Sequence, residues 1–254
     1  MTSAQARILA AADALARRCD AMRRGQAVAC VYNPLIYARA GFAAYIERYG
    51  SGPKPVVMVG MNPGPFGMVQ TGVPFGHVGM VRDWMGIDVV IEKPPRVHPK
   101  RPVDGFACTR SEVSGQRLWG WARDRFGAPE RFFERFVVLN YCPLAFVEES
   151  GRNLTPDKLA AAERAPLFEA CDAALAEYVD ALEPSWLIGI GGFAAARVAP
   201  LAKSRGIATG SLPHPSPASP AANRGWAEAA ERSLEALGIV LAPAAMPGKA
   251  RGAR

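Results

Sequence analysis

Two short apolar runs that each end on an asparagine constrain the fold of this chain more than any other feature. The first run, Val56 to Val59, breaks at Gly60-Met61-Asn62-Pro63-Gly64-Pro65, and the second, Phe136 to Leu139, ends on Asn140-Tyr141-Cys142-Pro143. Continuous apolar runs of this length are typical of strands that are buried on both faces, and proline with glycine stops such strands abruptly. We therefore expect two buried strands, each of which presents an amide side chain at its carboxyl end.

The rest of the chain alternates helical patterns with strand-like runs. Further strands are predicted at Trp186 to Ile190 and, more weakly, at Ile207 to Leu212, and helices at 3–24, 40–48, 111–126, 166–182, 193–203 and from 219 onward. Strands joined by crossovers of about a dozen residues or more pair in parallel and need cover on both faces. The sequence therefore predicts an α/β fold, a three-layer α/β/α arrangement with a central four-stranded, mainly parallel sheet.

The length and composition favour one domain. The chain has 254 residues, of which 50% are apolar, and this is enough to bury one large core. The last residues are rich in Ala, Pro, Gly and cations. We therefore expect one domain over residues 1–242 and a basic, disordered tail over residues 243–254.

Cysteine usage and the N-terminus bear on the compartment. The five cysteines are scattered, with no Cys-x-x-Cys pair and no His/Cys cluster at metal spacing. This pattern is typical of reduced thiols, and buried cysteines acting as small hydrophobes are the ordinary interpretation. The N-terminus lacks the apolar core of a signal peptide, and no apolar run approaches the roughly 20 residues of a membrane span. We expect a cytoplasmic protein without a membrane partner, and no metal or other cofactor.

Three polar side chains are expected to meet at the carboxyl ends of the strands, where ligands gather in such sheets. Asn62 and Asn140 follow the first two strands, and His214 follows the last one, inside Pro213-His214-Pro215-Ser216-Pro217. Together with an aromatic ring at Phe75, these groups suit a flat heterocycle, because an amide offers both a donor and an acceptor to an imide-type edge.

The same residues suit cleavage of an N-glycosidic bond. His214 could stabilise negative charge on the departing ring, and Asn62 could hold a water through its side-chain carbonyl. No lysine lies in any of the three motifs, which argues against a covalent Schiff-base route. The predicted reaction is therefore monofunctional. Each residue taken alone has a simpler interpretation, since asparagine after a strand is commonly a turn former and phenylalanine commonly a core residue.

Joined in order, the motifs resemble a known family. Gly60 to Met68, continued through Gln70 to Gly76, is similar to the first motif of the single-strand-selective monofunctional uracil-DNA glycosylases, and His214-Pro215-Ser216-Pro217 is similar to their second motif. Asn140 to Leu144 and Ser150 to Pro156 also match. The resemblance covers about Val31 to Leu237 and suggests a bacterial-type member of the uracil-DNA glycosylase superfamily.

The resemblance implies a role for each site residue. Asn62 would position the hydrolytic water, and His214 would stabilise the uracil anion at O2. Phe75 would stack on the flipped uracil, while Asn140 would read its imide edge. The backbone near Gly64 and Met68 would hold a water at the uracil C5 position and so admit small polar C5 substituents. Gly60 and Met61 complete the expected substrate-binding set.

DNA contacts are expected from two loops. A target base inside a duplex must be flipped out, and the family inserts the loop after its second motif, here His214 to Asn223, into the helix. Its candidate DNA-binding residues are Pro215, Ser216, Pro217, Ala218 and Ser219. The second loop, Glu92 to Gly105, is rich in proline and cations and contains Lys100 and Arg101. It could lie against a phosphate backbone or could be a plain surface connector.

Two departures from the family pattern affect the expected substrate. Vertebrate members have an arginine after the His-Pro-Ser-Pro run, whereas this chain has Ala218, which cannot fill the vacated space. We therefore expect weaker penetration of duplex DNA. His77 stands where some relatives have glutamate and could contact phosphate or be a surface residue.

The predicted partner is DNA that contains uracil, single- or double-stranded, bound by a monomer, and the net charge of +7 modestly favours such an acidic partner. Two alternatives remain open. The first is a glycosylase that prefers deaminated purines such as hypoxanthine or xanthine. The second is a catalytically silent module that binds damaged DNA.

Overall fold

The computed structural model describes residues 1–22, 25 and 28–241. The strands in chain order are β1 Cys30–Tyr32, β2 Val56–Gly60, β3 Phe136–Asn140, β4 Ala145–Val147, β5 Asn153–Leu154, β6 Trp186–Ile190 and β7 Ala208–Leu212. The helices are α1 Ser3–Asp20, α2 Pro34–Tyr37, α3 Arg39–Tyr49, α4 Met68–Thr71, α5 Val113–Phe126, α6 Pro129–Phe133, α7 Ala161–Leu182, α8 Gly192–Arg205, α9 Pro220–Asn223 and α10 Trp226–Ala236. A π-helical turn spans Met80–Trp84, and 3-10 turns span Gly105–Ala107 and Pro156–Lys158.

The predicted central sheet is confirmed. Its four strands are all parallel and lie in the order β3-β2-β6-β7. In this register Gly60 is paired with Asn140, so the carboxyl ends of β2 and β3 meet side by side. From β2 the chain crosses to β3, toward one edge of the sheet. From β6 it later crosses to β7, toward the opposite edge. Crevices for ligands form where the strand order reverses in this way.

Helices cover both faces of the sheet, as the three-layer prediction requires. On one face α7 and α8 pack together, with the rings of Phe168 and Phe193 5.7 Å apart. Helix α1 packs against α7, and its Leu15 lies near Leu139 of β3. On the other face α5 and α10 meet through Trp121 and Trp226, whose rings are 5.9 Å apart and perpendicular. Right-handed crossovers place the β2–β3 and β6–β7 connections on opposite faces in this strand order.

The outer edge of β3 is closed by a tyrosine. The Tyr45 hydroxyl of α3 donates to the carbonyl of Val138 at 3.0 Å and accepts from its N–H at 3.2 Å. Tyr45 itself is fully buried, with its ring against Phe133. An edge strand with unpaired backbone groups invites pairing with another chain, and here one side chain satisfies the central pair of groups.

A second, smaller sheet was not predicted. Strands β1, β4 and β5 form an antiparallel sheet in the order β1-β4-β5. These strands are only two or three residues long, so none of them is long enough to show a period of two. Strand β4 begins five residues after Asn140, and this sheet therefore stands beside the carboxyl end of the parallel one.

Three predicted helices need correction. The helix expected from Pro166 begins at Ala161 and contains Pro166 near its start, because a proline close to the first turn costs few hydrogen bonds. The last helix is two helices, since Gly225 at φ 116° breaks the chain between α9 and α10. The first helix ends at Asp20 rather than Arg24. Arg24 and the predicted tail, 243–254, lie outside the described residues.

The five cysteine side chains are buried, in agreement with their expected role as small hydrophobes. No helix within the described ranges is long and apolar enough to cross a bilayer.

Candidate active site

A pocket of about 380 Å³ opens at the carboxyl ends of the central strands. Seven predicted site residues line it: Met61, Asn62, Gly64, Phe75, Asn140, His214 and Ser216. Six further residues complete the lining: Pro63, Pro65, Glu112, Ser114, Asn153 and Thr155. This volume is at the small end of ligand pockets and suits a small heterocycle.

Asn62 is fixed by the loop that follows Asn140. Its amide nitrogen donates to the carbonyl of Leu144 at 3.1 Å, just before β4. The hydrogen bonds from Tyr141 N to Gly60 O and from Cys142 N to Met61 O, both 2.9 Å, continue the β2–β3 ladder past its strand ends. With its nitrogen held in this way, the Asn62 side-chain oxygen is the group left to accept a proton donor in the pocket.

Asn140 presents an unsatisfied acceptor. Its side-chain nitrogen contacts Met68 Sδ at 3.2 Å, and its buried Oδ1 has no hydrogen-bond partner in the described part of the chain. A buried amide oxygen without a partner costs about 1–3 kcal/mol. That cost is removed when an N–H donor enters the pocket, so the site is suited to a ligand that carries one.

Gly60 allows the aromatic ring and the amide to approach each other closely. A Cβ at this position would lie 2.5 Å from Phe75 Cε2 and 2.7 Å from Asn140 Oδ1. Gly60 itself does not line the pocket, and neither does Met68, which is 2% exposed. Both therefore support the site from behind, and Met68 contacts Asn140 rather than the cavity.

Phe75 is held in an unusual backbone conformation. Its φ is 54°, a region that side chains other than glycine seldom occupy. A hydrogen bond of 2.7 Å from His77 N to Phe75 O closes this tight turn. The ring lies 6.1 Å from the His214 ring at an angle of 45°. Strained residues of this kind persist where the surrounding structure fixes them, and this one presents its ring to the pocket.

His214 is set as a neutral imidazole. Its Nδ1 accepts a hydrogen bond of 3.1 Å from the backbone N–H of Ser216, so Nε2 carries the proton of the neutral ring. Burial lowers the pKa of His214 below its ordinary 6.5. The ring can therefore donate one hydrogen bond to a partner in the pocket without carrying charge at neutral pH.

The loop after β7 is braced by residues that the sequence did not reveal. Arg117 of α5 donates to the carbonyl of Pro215 at 2.9 Å and to Oδ1 of Asn223 at 3.0 Å. Trp226 Nε1 donates to the carbonyl of Pro213 at 2.8 Å. Arg117 lies within the predicted helix 111–126, and no local sequence signal marks its contact with a loop about a hundred residues away.

The five candidate DNA-binding residues of this loop differ in exposure. Pro215 is buried, Ser216 and Ser219 are half-buried, and Pro217 and Ala218 are exposed at its tip. Only Ser216 lines the pocket. The tip therefore lies outside the cavity.

Glu112 is an acidic pocket residue that sequence reasoning missed. A Cβ at Gly64 would lie 2.4 Å from Glu112 Oε2, so the carboxylate packs directly on the Gly64 backbone. Burial raises the pKa of Glu112, and hydrogen-bonding interactions with the Phe66 backbone and with Ser114 oppose that rise. Glu112 stands at the N-cap position of α5 without forming a regular capping bond. Its carboxylate joins α5 to the loop after β2.

Asn153 of β5 and Thr155, which directly follows that strand, line the pocket and were predicted only as part of the matching stretch Ser150 to Pro156. Lys100 and Arg101 lie outside the lining. Lys100 Nζ donates to the carbonyl of Ser150 at 3.3 Å, and Arg101 stacks on Phe66. His77 also lies outside the pocket, in a neighbouring groove, and burial lowers its pKa.

Comparison with known proteins assigns the chain to a family. The profile of the uracil DNA glycosylase superfamily matches residues 47–235. A rat protein named single-strand selective monofunctional uracil-DNA glycosylase is 49% identical over 215 residues, 84% of this chain and 77% of that protein. Its bovine counterpart is 48% identical over 220 residues, 84% of this chain and 79% of that protein. The crystal structure of wild-type SMUG2 from Pedobacter heparinus shares the fold, with a TM-score of 0.63 at 17% identity, and the match covers 91% of this chain and 99% of that one.

Proposed function

Since the chain belongs to the uracil DNA glycosylase superfamily, and within it to the single-strand selective monofunctional uracil-DNA glycosylases, we propose that the pocket described above binds one flipped uracil and hydrolyses its bond to deoxyribose. The fold and the enzyme class agree with the sequence prediction. The role of each pocket residue is the part that the proposal adds.

The unsatisfied Oδ1 of Asn140 is the observation that carries this assignment. Uracil has an N–H between two carbonyls, so its N3–H can donate to Oδ1 while a neighbouring carbonyl accepts from the amide nitrogen. Thymine is excluded because its 5-methyl group adds bulk. Cytosine is excluded because its N3 is an acceptor and would face Oδ1 of Asn140, which is also an acceptor. The half-buried ring of Phe75 supports stacking on the same base.

The chemistry needs no strong base. The bond between uracil N1 and deoxyribose C1′ breaks with its electron pair on the base, and His214 Nε2–H donates to the uracil oxygen on which the charge develops. A water held by Asn62 Oδ1 then adds its oxygen to C1′, and its proton is released to the base or solvent. A neutral donor suits this site, because burial disfavours a charged imidazolium, and the neutral ring still donates one hydrogen bond to the developing negative charge.

Small polar groups at uracil C5 are the proposed additional substrates. Gly64 lines the pocket beside the Glu112 carboxylate, which gives this wall a polar character. A hydroxymethyl group could donate there, whereas an apolar methyl group could not.

Single-strand preference is tested at Ala218. The exposed tip of the braced loop carries no side chain long enough to fill the gap left by a flipped base. We expect Ala218→Arg to raise excision from U:G and U:A duplexes relative to single strands, measured on oligonucleotides of one sequence. Wild-type protein that prefers the stable U:A duplex would contradict this proposal.

The function itself is tested by product analysis. Purified protein and an oligonucleotide with one uracil should yield free uracil and an abasic strand that alkali cleaves, with no strand cleavage before alkali. The same oligonucleotide with hypoxanthine or xanthine separates the purine alternative, which faster excision of either would establish. Binding without an abasic product would instead establish the silent damage-binding module.

Four further expectations from the sequence remain proposals. These are a monomeric state, a cytoplasmic location, one domain over 1–242, and DNA contacts by Lys100, Arg101 and the tip of the loop after β7. The bacterial-type assignment is not supported, because the similar proteins described above are mammalian.

A further inference from the structure

Two arginines share one aromatic ring beside the pocket. The guanidinium carbon of Arg110 lies 4.2 Å from the centroid of the Phe66 ring, and that of Arg101 lies 5.4 Å from it. Phe66 directly follows Pro65, which lines the pocket. We call Phe66, Arg101 and Arg110 the arginine–phenylalanine cluster.

The cluster has an uncompensated positive charge. In the described part of the chain, neither Arg101 nor Arg110 forms an ion pair, whereas many other arginines do, such as Arg205 with Asp180. Both guanidinium groups contact the Phe66 ring, and their like charges repel each other. An anion bound beside these guanidinium groups would offset that repulsion.

The backbone of Arg101 is held by two hydrogen bonds before a ligand arrives. The Arg101 carbonyl accepts from the Tyr32 hydroxyl at 2.5 Å, and its N–H donates to the carbonyl of His98 at 2.9 Å. This is the proline-rich basic loop in which the sequence placed a DNA contact. Planar guanidinium groups fixed by stacking lose little entropy when they pair with a phosphate.

A groove of about 440 Å³ continues from the cluster. Its polar lining includes His77, Arg82, Thr109, Arg110 and Ser111. Arg82 is paired with Asp83 at 2.8 Å, so among the described lining residues Arg110 supplies the uncompensated positive charge. Ser111 precedes Glu112 of the uracil pocket, so groove and pocket are adjacent. A basic groove next to a base pocket has the form that a single strand needs, because the backbone must continue on either side of the flipped nucleotide.

We infer that the arginine–phenylalanine cluster binds a backbone phosphate of the strand that carries the flipped uracil. This strand then continues along the adjacent groove, which is lined by His77 and Arg110. This inference rests on the proposed function. It adds Arg110 and Phe66 to the DNA-binding residues and specifies Arg101 as a phosphate ligand rather than a general surface cation.

The variants Arg110→Ala, Arg101→Ala and Arg110→Lys test it, with Arg131→Ala as the matched control. Arg131 is exposed on α6, near the amino end of β3 and thus at the far end of the sheet. Removing one phosphate contact should make the dependence of log kcat/KM on log salt shallower by about 0.7 on single-stranded substrate. KM should rise and kcat should stay at the wild-type value, which also shows that the variant is folded.

Neutral phosphates locate the contact. Single-stranded substrates with one methylphosphonate at successive positions around uracil should reveal one position that weakens wild-type binding but causes no further loss in Arg110→Ala. Arg110→Lys should be intermediate, since lysine keeps the charge but loses the planar fork. If Arg110→Ala matches Arg131→Ala in salt slope, or if no position is coupled to Arg110, the inference is wrong. Wild-type protein that releases no uracil would instead refute the proposed function.

Discussion

Replacing Gly60 with alanine tests whether the tight packing behind the pocket sets the geometry of catalysis. The added Cβ would lie 2.5 Å from Phe75 Cε2 and 2.7 Å from Asn140 Oδ1, where ordinary contacts begin at 3.4 Å. The ring must therefore retreat by about 0.9 Å and the amide by about 0.7 Å, the differences between these distances. A misplacement of about 1 Å costs roughly 10²-fold in rate, which corresponds to about 2.7 kcal/mol of transition-state stabilisation.

The assay is kcat/KM for uracil release from a single-stranded oligonucleotide, with the unfolding temperature measured in parallel. Gly120→Ala is the control, because a Cβ at this α5 position meets nothing within 4 Å. The control should keep full activity and gain about 0.5–1 kcal/mol from the higher helix propensity of alanine. Folded Gly60→Ala protein with wild-type kcat/KM would show that neither Phe75 nor Asn140 needs its observed position.

Three further substitutions test individual side chains. Asn62→Ala should lower single-turnover excision by about 10²-fold with little change in DNA affinity, because it removes water placement rather than a phosphate contact; an unchanged rate would contradict that role. Asn140→Asp should abolish or shift uracil selection, since a second acceptor replaces the donor that faces a uracil carbonyl, and competition between uracil- and cytosine-containing oligonucleotides measures this. Burial raises the pKa of Glu112 above its ordinary 4.5, so its charge destabilises the folded state at neutral pH. Glu112→Gln should therefore raise the unfolding temperature at pH 7, and this gain should shrink as the pH falls through the raised pKa of Glu112. The same substitution should slow excision, because it loosens the Gly64 loop. A lower unfolding temperature at pH 7 would contradict this account.

The central sheet could be predicted because two of its strands have a distinctive residue pattern. Val56 to Val59 and Phe136 to Leu139 are apolar throughout, as strands covered on both faces must be. The antiparallel strands Cys30–Tyr32 and Asn153–Leu154 could not be predicted, since two or three residues carry no periodicity and their pairing is set by tertiary contacts. The start of α7 differs from the prediction by five residues for another reason, because Pro166 lies inside the helix rather than at its first position.

The candidate site could be predicted for those residues that belong to a recognisable sequence motif. Asn62, Phe75, Asn140 and His214 were identified, and the structure brings all four together. The position of Glu112 in the pocket was not predicted, because a glutamate before a helix is ordinarily solvated. Only the fold shows that its carboxylate packs on Gly64.

The hydrogen bond from Asn62 to the carbonyl of Leu144 has an evolutionary consequence. Leu144 leads into β4, and Asn153 and Thr155 at the end of the same small sheet form part of the pocket wall. The small sheet thus influences both the orientation of the Asn62 amide and the shape of the cavity. Its strands β1 and β4 are buried in a core cluster that includes Tyr32, Ala145 and Val147. Base preference can therefore diverge through substitutions at the partly buried pocket residues Asn153 and Thr155, which leave the buried strands β1 and β4 unchanged, and directed evolution toward new lesions has a permissive starting point there.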